Sequence, residues 1–234
     1  FVQVLKIEKN HSSNTIDSYL SDIKSFEKYL IKRKISFKDT INQSDVIKKY
    51  FRYLSRSKIS PRSIKRKFSS LSSYFLYLID RKIIKKNPLN GIYTPKLTKK
   101  LPTILSVDEI QKIFKQSENT DNELLGLRDR CIIELLYSCG LRVSELCELK
   151  INNIQFDANV IRFFGKGNKE RIIPLTFYAK EWLEKYLYQS RQILSNRKTS
   201  DQKYVFLSNN GKRLTRAAIW QSIKKYVNAA GITK

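Results

Sequence analysis

Histidine is nearly missing from this 234-residue chain, which holds one, His11. Catalytic or metal-binding arrangements that need two imidazoles cannot be assembled from these residues. Cysteine is scarce as well: Cys131, Cys139 and Cys147 fall in one stretch, far along the chain from His11. An odd number so clustered reads as three reduced, buried thiols of a cytoplasmic protein, not as a disulfide framework or a zinc site, and no metal is expected. Apolar runs such as Cys131–Ile133 and Leu135–Tyr137 fall far short of the roughly 20 residues a membrane span needs. No basic segment followed by an apolar stretch opens the chain, so neither export nor membrane insertion is expected.

Acidic residues are few, 21 Asp+Glu against 46 Lys+Arg, for a formal net charge of +25. Solubility of a small domain asks for a net magnitude of about 2–8. The excess is uneven: residues 1–100 carry 24 basic and 7 acidic side chains. Such a field recruits a polyanion. Because no terminal segment reads as a basic amphipathic helix with an exposed apolar face, nucleic acid is the expected partner and membrane is not. Hydrophobic residues at 41% and aromatics at 12% suffice to bury a core.

Apolar residues recur at three and four from Asn14 to Lys32, through Ile16, Tyr19, Leu20, Ile23, Phe26, Tyr29 and Leu30, which predicts a helix. Ser12, Ser13 and Asn14 are its candidate N-caps. A second helix fits Ser44–Leu54. A third starts at Ser60-Pro61 and runs to about Ile79, with Arg62, Lys65, Arg66 and Lys67 on its outward face. Three of the five prolines, Pro88, Pro95 and Pro102, lie in a basic stretch with Lys96, Lys99 and Lys100. The expected organisation is a helical domain over 1–86, a linker over 87–102 and a second domain over 103–234. The latter opens with a capping box, Ser106 and Glu109. Helices are expected at Val107–Gln116, Leu124–Cys139, Val143–Leu149, Phe177–Leu194 and Thr215–Ala229, with Gly140 as a left-handed cap. Val160–Phe164 and Arg171–Leu175 read as a hairpin with a glycine-rich basic tip, and Tyr204–Leu207 as a short strand. Gly231–Lys234 reads as the start of a linker.

Two motifs could carry chemistry. In Gly140-Leu141-Arg142-Val143-Ser144-Glu145-Leu146 an arginine follows a helix-ending glycine, with a glutamate three residues on. It is either a phosphate-gripping turn in which Glu145 orients Arg142, or an ordinary capped turn with a surface salt bridge. In Gly165-Lys166-Gly167-Asn168-Lys169-Glu170-Arg171, glycines would let Lys166 approach a phosphate or a leaving oxygen. It is not a P-loop, and the alternative is a solvated basic turn.

Together, in this order, "LRDRCIIELLYSCGLRVSELCELKINNI" and "VIRFFGKGNKERIIPL" resemble the catalytic domain of tyrosine recombinases of the phage-integrase class, most of all the bacterial Xer enzymes that resolve chromosome dimers. "SSNTIDSYLSDIKSFEKYL" and "SPRSIKRKFSSLSSYFLYL", ending in "NPLNGIYTPKLTKKLPTILSVDEI", resemble that family's helical core-binding domain and linker. The resemblance covers essentially the whole chain. It implies a mainly α fold with a small β-hairpin or sheet: a SAM-like core-binding domain linked to an α+β catalytic domain, here incomplete. It also implies attack of a tyrosine hydroxyl on a phosphodiester, giving a 3′-phosphotyrosyl link and a free 5′-hydroxyl, with no metal or nucleotide cofactor because the bond energy stays in the covalent intermediate. Arg142 matches the arginine that grips the scissile phosphate, Lys166 the hairpin lysine that protonates the departing oxygen, and Glu145 the acidic residue that supports the arginine.

The family's His-x-x-Arg motif and nucleophilic tyrosine have no counterpart in these residues, so no nucleophile is nominated. As given, the chain is expected to bind DNA without cutting it. The candidate DNA contacts are the first helix with Thr15, Tyr19 and Lys24 and the basic face around Arg62, Lys65 and Arg66 in the helical half. In the other half they are Lys169, Arg171, Arg213 and Arg216. The resemblance further implies an inverted-repeat duplex as partner, clamped by the two domains, and, at full length, a tetramer on two DNA sites formed with itself or a second recombinase. A non-catalytic occupant of recombination sites is the alternative.

Overall fold

The computed structural model describes residues 1–42, 44–93, 103–164, 170–196 and 201–234. The chain divides into two compact units, Phe1–Leu101 and Pro102–Lys234. Among the described residues no helix is long and apolar enough to cross a membrane.

In the first unit a π-helical turn, Val4–Glu8, precedes four helices: α1 Ser13–Lys32, α2 Phe37–Asn42, α3 Ser44–Arg56 and α4 Pro61–Asp80. Ser12 caps α1, its Oγ accepting the Thr15 N–H at 3.3 Å, and Ser60 caps α4 ahead of Pro61. The inward stripes meet around Tyr50, fully buried, whose ring lies 4.8 Å from Phe26 and 5.0 Å from Tyr29. Leu71 and Phe75 of α4 and Ile47 and Leu54 of α3 complete that core. The six-residue α2 and the Val4–Glu8 turn are too short to show a helical period, and sequence reading passed over both.

A charged residue shares this interior. Asp22 of α1 is 1% exposed and accepts from Arg66 Nη1 at 2.6 Å and Ser70 Oγ at 3.2 Å, while Lys67 Nζ lies 3.2 Å away. The buried carboxylate thus ties α1 to α4. Lys67, expected on the outward face, is drawn in by it and is 12% exposed.

The second unit contains α5 Val107–Glu118, α6 Glu123–Ser138, α7 Val143–Glu148, three strands (β1 Ile154–Gln155, β2 Val160–Phe164 and β3 Glu170–Pro174), α8 Phe177–Tyr186, α9 Gln192–Ser195 and α10 Arg216–Ala229. The Ser106/Glu109 capping box is present: Glu109 N–H donates to Ser106 Oγ at 3.2 Å, and Ser106 N–H to Glu109 Oε2 at 2.7 Å. Gly140 follows α6 at φ +61°, the left-handed conformation a glycine adopts without steric cost. The sheet is antiparallel in the order β1-β2-β3, and Ile161 pairs with Ile173 and Phe163 with Arg171 on one face. The helix expected over Phe177–Leu194 is three segments, since a π turn at Leu187–Arg191 separates α8 from α9.

Three further expectations need correction. Tyr204–Leu207 forms no strand but makes the isolated bridges Lys150↔Tyr204 and Leu207↔Arg213. Its backbone is satisfied by point contacts instead: Val205 N–H donates to the Leu149 carbonyl at 2.9 Å, and the Tyr186 hydroxyl to the Val205 carbonyl at 3.0 Å. Of the three free thiols, Cys131 and Cys147 are buried but Cys139 is half-buried, because it sits at the C-cap of α6. Gly231–Lys234 is not a loose segment: Ile232 is buried with Ile113, Phe114, Ile133 and Tyr226, and Lys234 Nζ lies 2.8 Å from Glu109.

Two ionic clusters lock the helices of this unit. Arg128 and Asp129, adjacent on α6 and both buried, pair at 2.7 Å. Arg128 also donates to the Leu207 carbonyl at 3.0 Å, and the Tyr226 hydroxyl of α10 donates to Asp129 Oδ2 at 3.0 Å. Arg130 pairs with Glu134 at 2.6 Å and Glu118 at 2.8 Å, its guanidinium 3.6 Å from the Phe114 ring centroid and 4.4 Å from that of Trp182.

Candidate functional site

Gly140 turns the chain sharply out of α6 and sets Arg142 at the N-cap of α7. One turn on, Glu145 folds back, and its Oε2 accepts the Arg142 backbone N–H at 2.8 Å. That half of a capping box satisfies a helix-terminal donor and fixes where the carboxylate points. The second oxygen, Oε1, accepts two guanidiniums: Arg142 Nη1 at 2.8 Å and Arg171 Nη1 at 2.6 Å. Arg171 comes from β3, and pairing with Phe163 places it on the same sheet face as the buried Ile161 and Ile173. A single glutamate therefore joins the two sequence motifs, the turn after α6 and the strand leaving the hairpin tip. The carboxylate is shielded, 15% exposed, while Arg142 at 69% and Arg171 at 41% stay open to solvent. Lys166 and Lys169, both in the hairpin tip, lie outside the described residues.

Arg213, expected at a DNA phosphate, is engaged with Glu148 of α7, and its guanidinium lies 5.1 Å from the Tyr204 ring centroid. Its backbone N–H donates to Asp201 Oδ2 at 2.9 Å. Arg216, the first residue of α10, is exposed. In the first unit Arg62 and Lys65 are exposed on α4. Arg66, beside them, is committed to Asp22 and the Ser18 carbonyl while remaining 43% exposed. Thr15 is engaged in the α1 cap, its hydroxyl 2.8 Å from Ser12 Oγ, and Tyr19 lies 5.8 Å from the His11 ring. Lys24 is exposed and lines a groove of about 960 Å³ along α1 with Lys28, Lys32, Arg33 and Tyr53.

Burial pushes the Cys131 and Cys147 thiols up, so neither is a ready nucleophile at neutral pH. The Tyr186 and Tyr226 phenols are raised too, chiefly by desolvation, which keeps both protonated.

Sequence reading missed Asp22, Asp129, Arg128 and Arg130. One signal was available: Asp22 falls within the apolar stripe of α1, between Leu20 and Ile23, and a carboxylate there requires partners. Nothing local marks which arginines supply them.

Residues 103–234 match the phage integrase family and residues 1–82 the phage integrase N-terminal SAM-like domain. The tyrosine recombinase XerD of Staphylococcus haemolyticus is 36% identical over 234 residues, which is 100% of this chain and 78% of that protein. XerD of Listeria innocua is 36% identical over 235 residues, with the same coverage. Among solved structures, lambda integrase bound to DNA aligns with a TM-score of 0.69 at 21% identity, covering 100% of this chain and 76% of that one. The XerH site-specific recombinase bound to its difH substrate aligns at 0.69 and 23% identity, covering 94% and 63%. At such identities the likeness concerns the fold, which is that of a SAM-like helical domain followed by an integrase catalytic domain. The family matches fall in both units and the XerD relatives align over all 234 residues, so the chain belongs to the phage integrase family, as a tyrosine recombinase of the Xer type.

Proposed function

We propose that this protein acts in the cytoplasm on an inverted-repeat DNA duplex, in site-specific strand exchange through a 3′-phosphotyrosyl intermediate. Residues 1–86 serve as the core-binding domain, 87–102 as the linker and 103–234 as catalytic domain. Arg142 grips the scissile phosphate, Glu145 orients it, and Lys166 passes a proton to the departing 5′-oxygen. Donors aimed at developing charge of this kind are typically worth about 10²–10³ in rate. Lys24, Arg62, Lys65 and Arg216 neutralise flanking phosphates. The observation that supports this reading best is the shared Glu145 carboxylate, which holds an exposed guanidinium fork beside the strand that leaves the Lys166 hairpin. Lambda integrase has been solved as a tetramer bound to a Holliday junction, and assembly with further recombinase copies on two DNA sites fits the same reading.

Selection from duplexes with randomised arms tests the partner. Enrichment of inverted repeats is expected, bound with an affinity that falls steeply with salt, by a slope of about 0.9 per phosphate neutralised. An enriched pool without arm symmetry refutes it.

A second reading, occupancy of recombination sites without cleavage, is supported by the content of the 234 residues: one histidine, in the first unit, and no His-x-x-Arg motif. A suicide duplex nicked beside the cut decides for this chain. Non-covalent retention supports occupancy, and a covalent protein–DNA adduct overturns it.

A further inference from the structure

Glu145 carries one negative charge and faces two guanidiniums with the same oxygen, Arg142 at 2.8 Å and Arg171 at 2.6 Å. The trio is therefore net positive by one. Without Arg171, Arg142 and Glu145 would form a closed pair three residues apart on one helix turn, with no net charge to offer an anion. Arg171 reaches the carboxylate from a different element, 26 residues away, and the register of β3 against β2 fixes its approach. It is not needed for the helix cap, because the Arg142 N–H uses the other oxygen.

We propose that Arg171 is a positioning residue for Arg142: by engaging the Glu145 carboxylate it leaves the Arg142 guanidinium with uncompensated charge, free to bind a DNA phosphate. Its role is thus to set the charge of the neighbouring fork through Glu145 rather than to hold a phosphate itself. This rests on the reading of Arg142 as a phosphate-binding group.

The test is the loss caused by Arg142→Ala, measured in several backgrounds as duplex affinity of the 234-residue chain across a salt series. In the unaltered chain Arg142→Ala is expected to weaken binding about tenfold at low salt and to lower the salt slope by about 0.9. Arg171→Gln is expected to produce the same loss although Arg142 is present, and adding Arg142→Ala then changes little. Glu145→Gln on top of Arg171→Gln restores the sensitivity to Arg142→Ala, since glutamine still accepts the Arg142 N–H but carries no charge. A role confined to fastening β3 to α7 predicts no such rescue, because the double variant leaves the fastening broken.

Full sensitivity to Arg142→Ala in the Arg171→Gln background overturns the proposal and makes Arg171 an independent contact. No effect of Arg142→Ala in the unaltered chain overturns the phosphate reading and this inference with it. Should Arg171→Gln unfold the unit, Glu145→Gln alone decides. A larger Arg142→Ala loss than in the unaltered chain supports the proposal, and a smaller one overturns it.

Discussion

Asp129→Ala is the sharpest test of how the second unit is held together. The carboxylate is 6% exposed, pairs with the equally buried Arg128 at 2.7 Å, and accepts the Tyr226 hydroxyl of α10 at 3.0 Å. Removing it leaves the Arg128 guanidinium in the interior with the Leu207 carbonyl as its remaining partner, at 3.0 Å. Breaking a buried ion pair from one side costs about 3–5 kcal/mol. The surviving carbonyl bond argues for the lower end, about 3 kcal/mol. Both tryptophans, Trp182 and Trp220, lie in this unit, so fluorescence during urea unfolding reports on it. With a slope of about 2 kcal/mol/M the midpoint falls by about 1.5 M. Tyr226→Phe removes one hydrogen bond to a charged group and leaves the pair intact, for about 1.5 kcal/mol and a shift of roughly 0.7 M. If Asp129→Ala shifts the midpoint no further than Tyr226→Phe, Arg128 escapes to solvent when unpaired and the account of this cluster is wrong.

Asp22→Ala breaks the link from α1 to Arg66, Lys67 and Ser70. Because Arg66 is 43% exposed, we expect about 2–3 kcal/mol, below the full cost of a buried pair, seen as an earlier loss of helical circular dichroism; an unchanged transition would refute the clamp. Tyr186 and Tyr226 have raised pKa values in the folded protein, so their contribution to stability is complete below the ordinary phenol value near 10 and is lost as pH rises beyond it. Urea midpoints should fall above about pH 10, and less steeply in Tyr186→Phe; equal slopes would show that this phenol does not govern the loss. Gly126→Ala in α6 is expected to destabilise by about 1–2 kcal/mol by urea titration, because the added methyl would sit 2.5 Å from Thr120 Cγ2 and 2.9 Å from the Ser117 carbonyl oxygen. Stabilisation would mean that the α5–α6 connection yields freely.

Local chemistry carries the elements that the sequence already announces. The three-and-four spacing of Ile16 to Leu30, the Ser60-Pro61 start and the Ser106/Glu109 box each act within one turn of helix, so each reads directly from neighbouring residues. The Gly140 turn and the alternation of β2 and β3 are equally local, and they place Arg142 and Arg171 on their elements without further help. Tyr204–Leu207 shows where this fails. Its apolar pattern is that of a strand, but a ladder needs a partner, and the surrounding carbonyls and hydroxyls satisfy its backbone point by point.

The sequence by itself determined the longer helices, the hairpin strands, the basic surplus and the pair of motifs, since periodicity, caps and charge are properties of nearby residues. Only the tertiary structure decided that Glu145 is shared between Arg142 and Arg171, 26 residues apart, that Arg66 reaches Asp22 across 44, and that Tyr226 reaches Asp129 across 97. It also reverses the expectation for Gly126, where helix propensity alone favours alanine by about 1 kcal/mol and the packed neighbours forbid it. The reason is the same in each case. A side chain's partners depend on how whole elements pack, and charge or propensity read along the chain does not say which of many arginines or carbonyls will be brought within 3 Å.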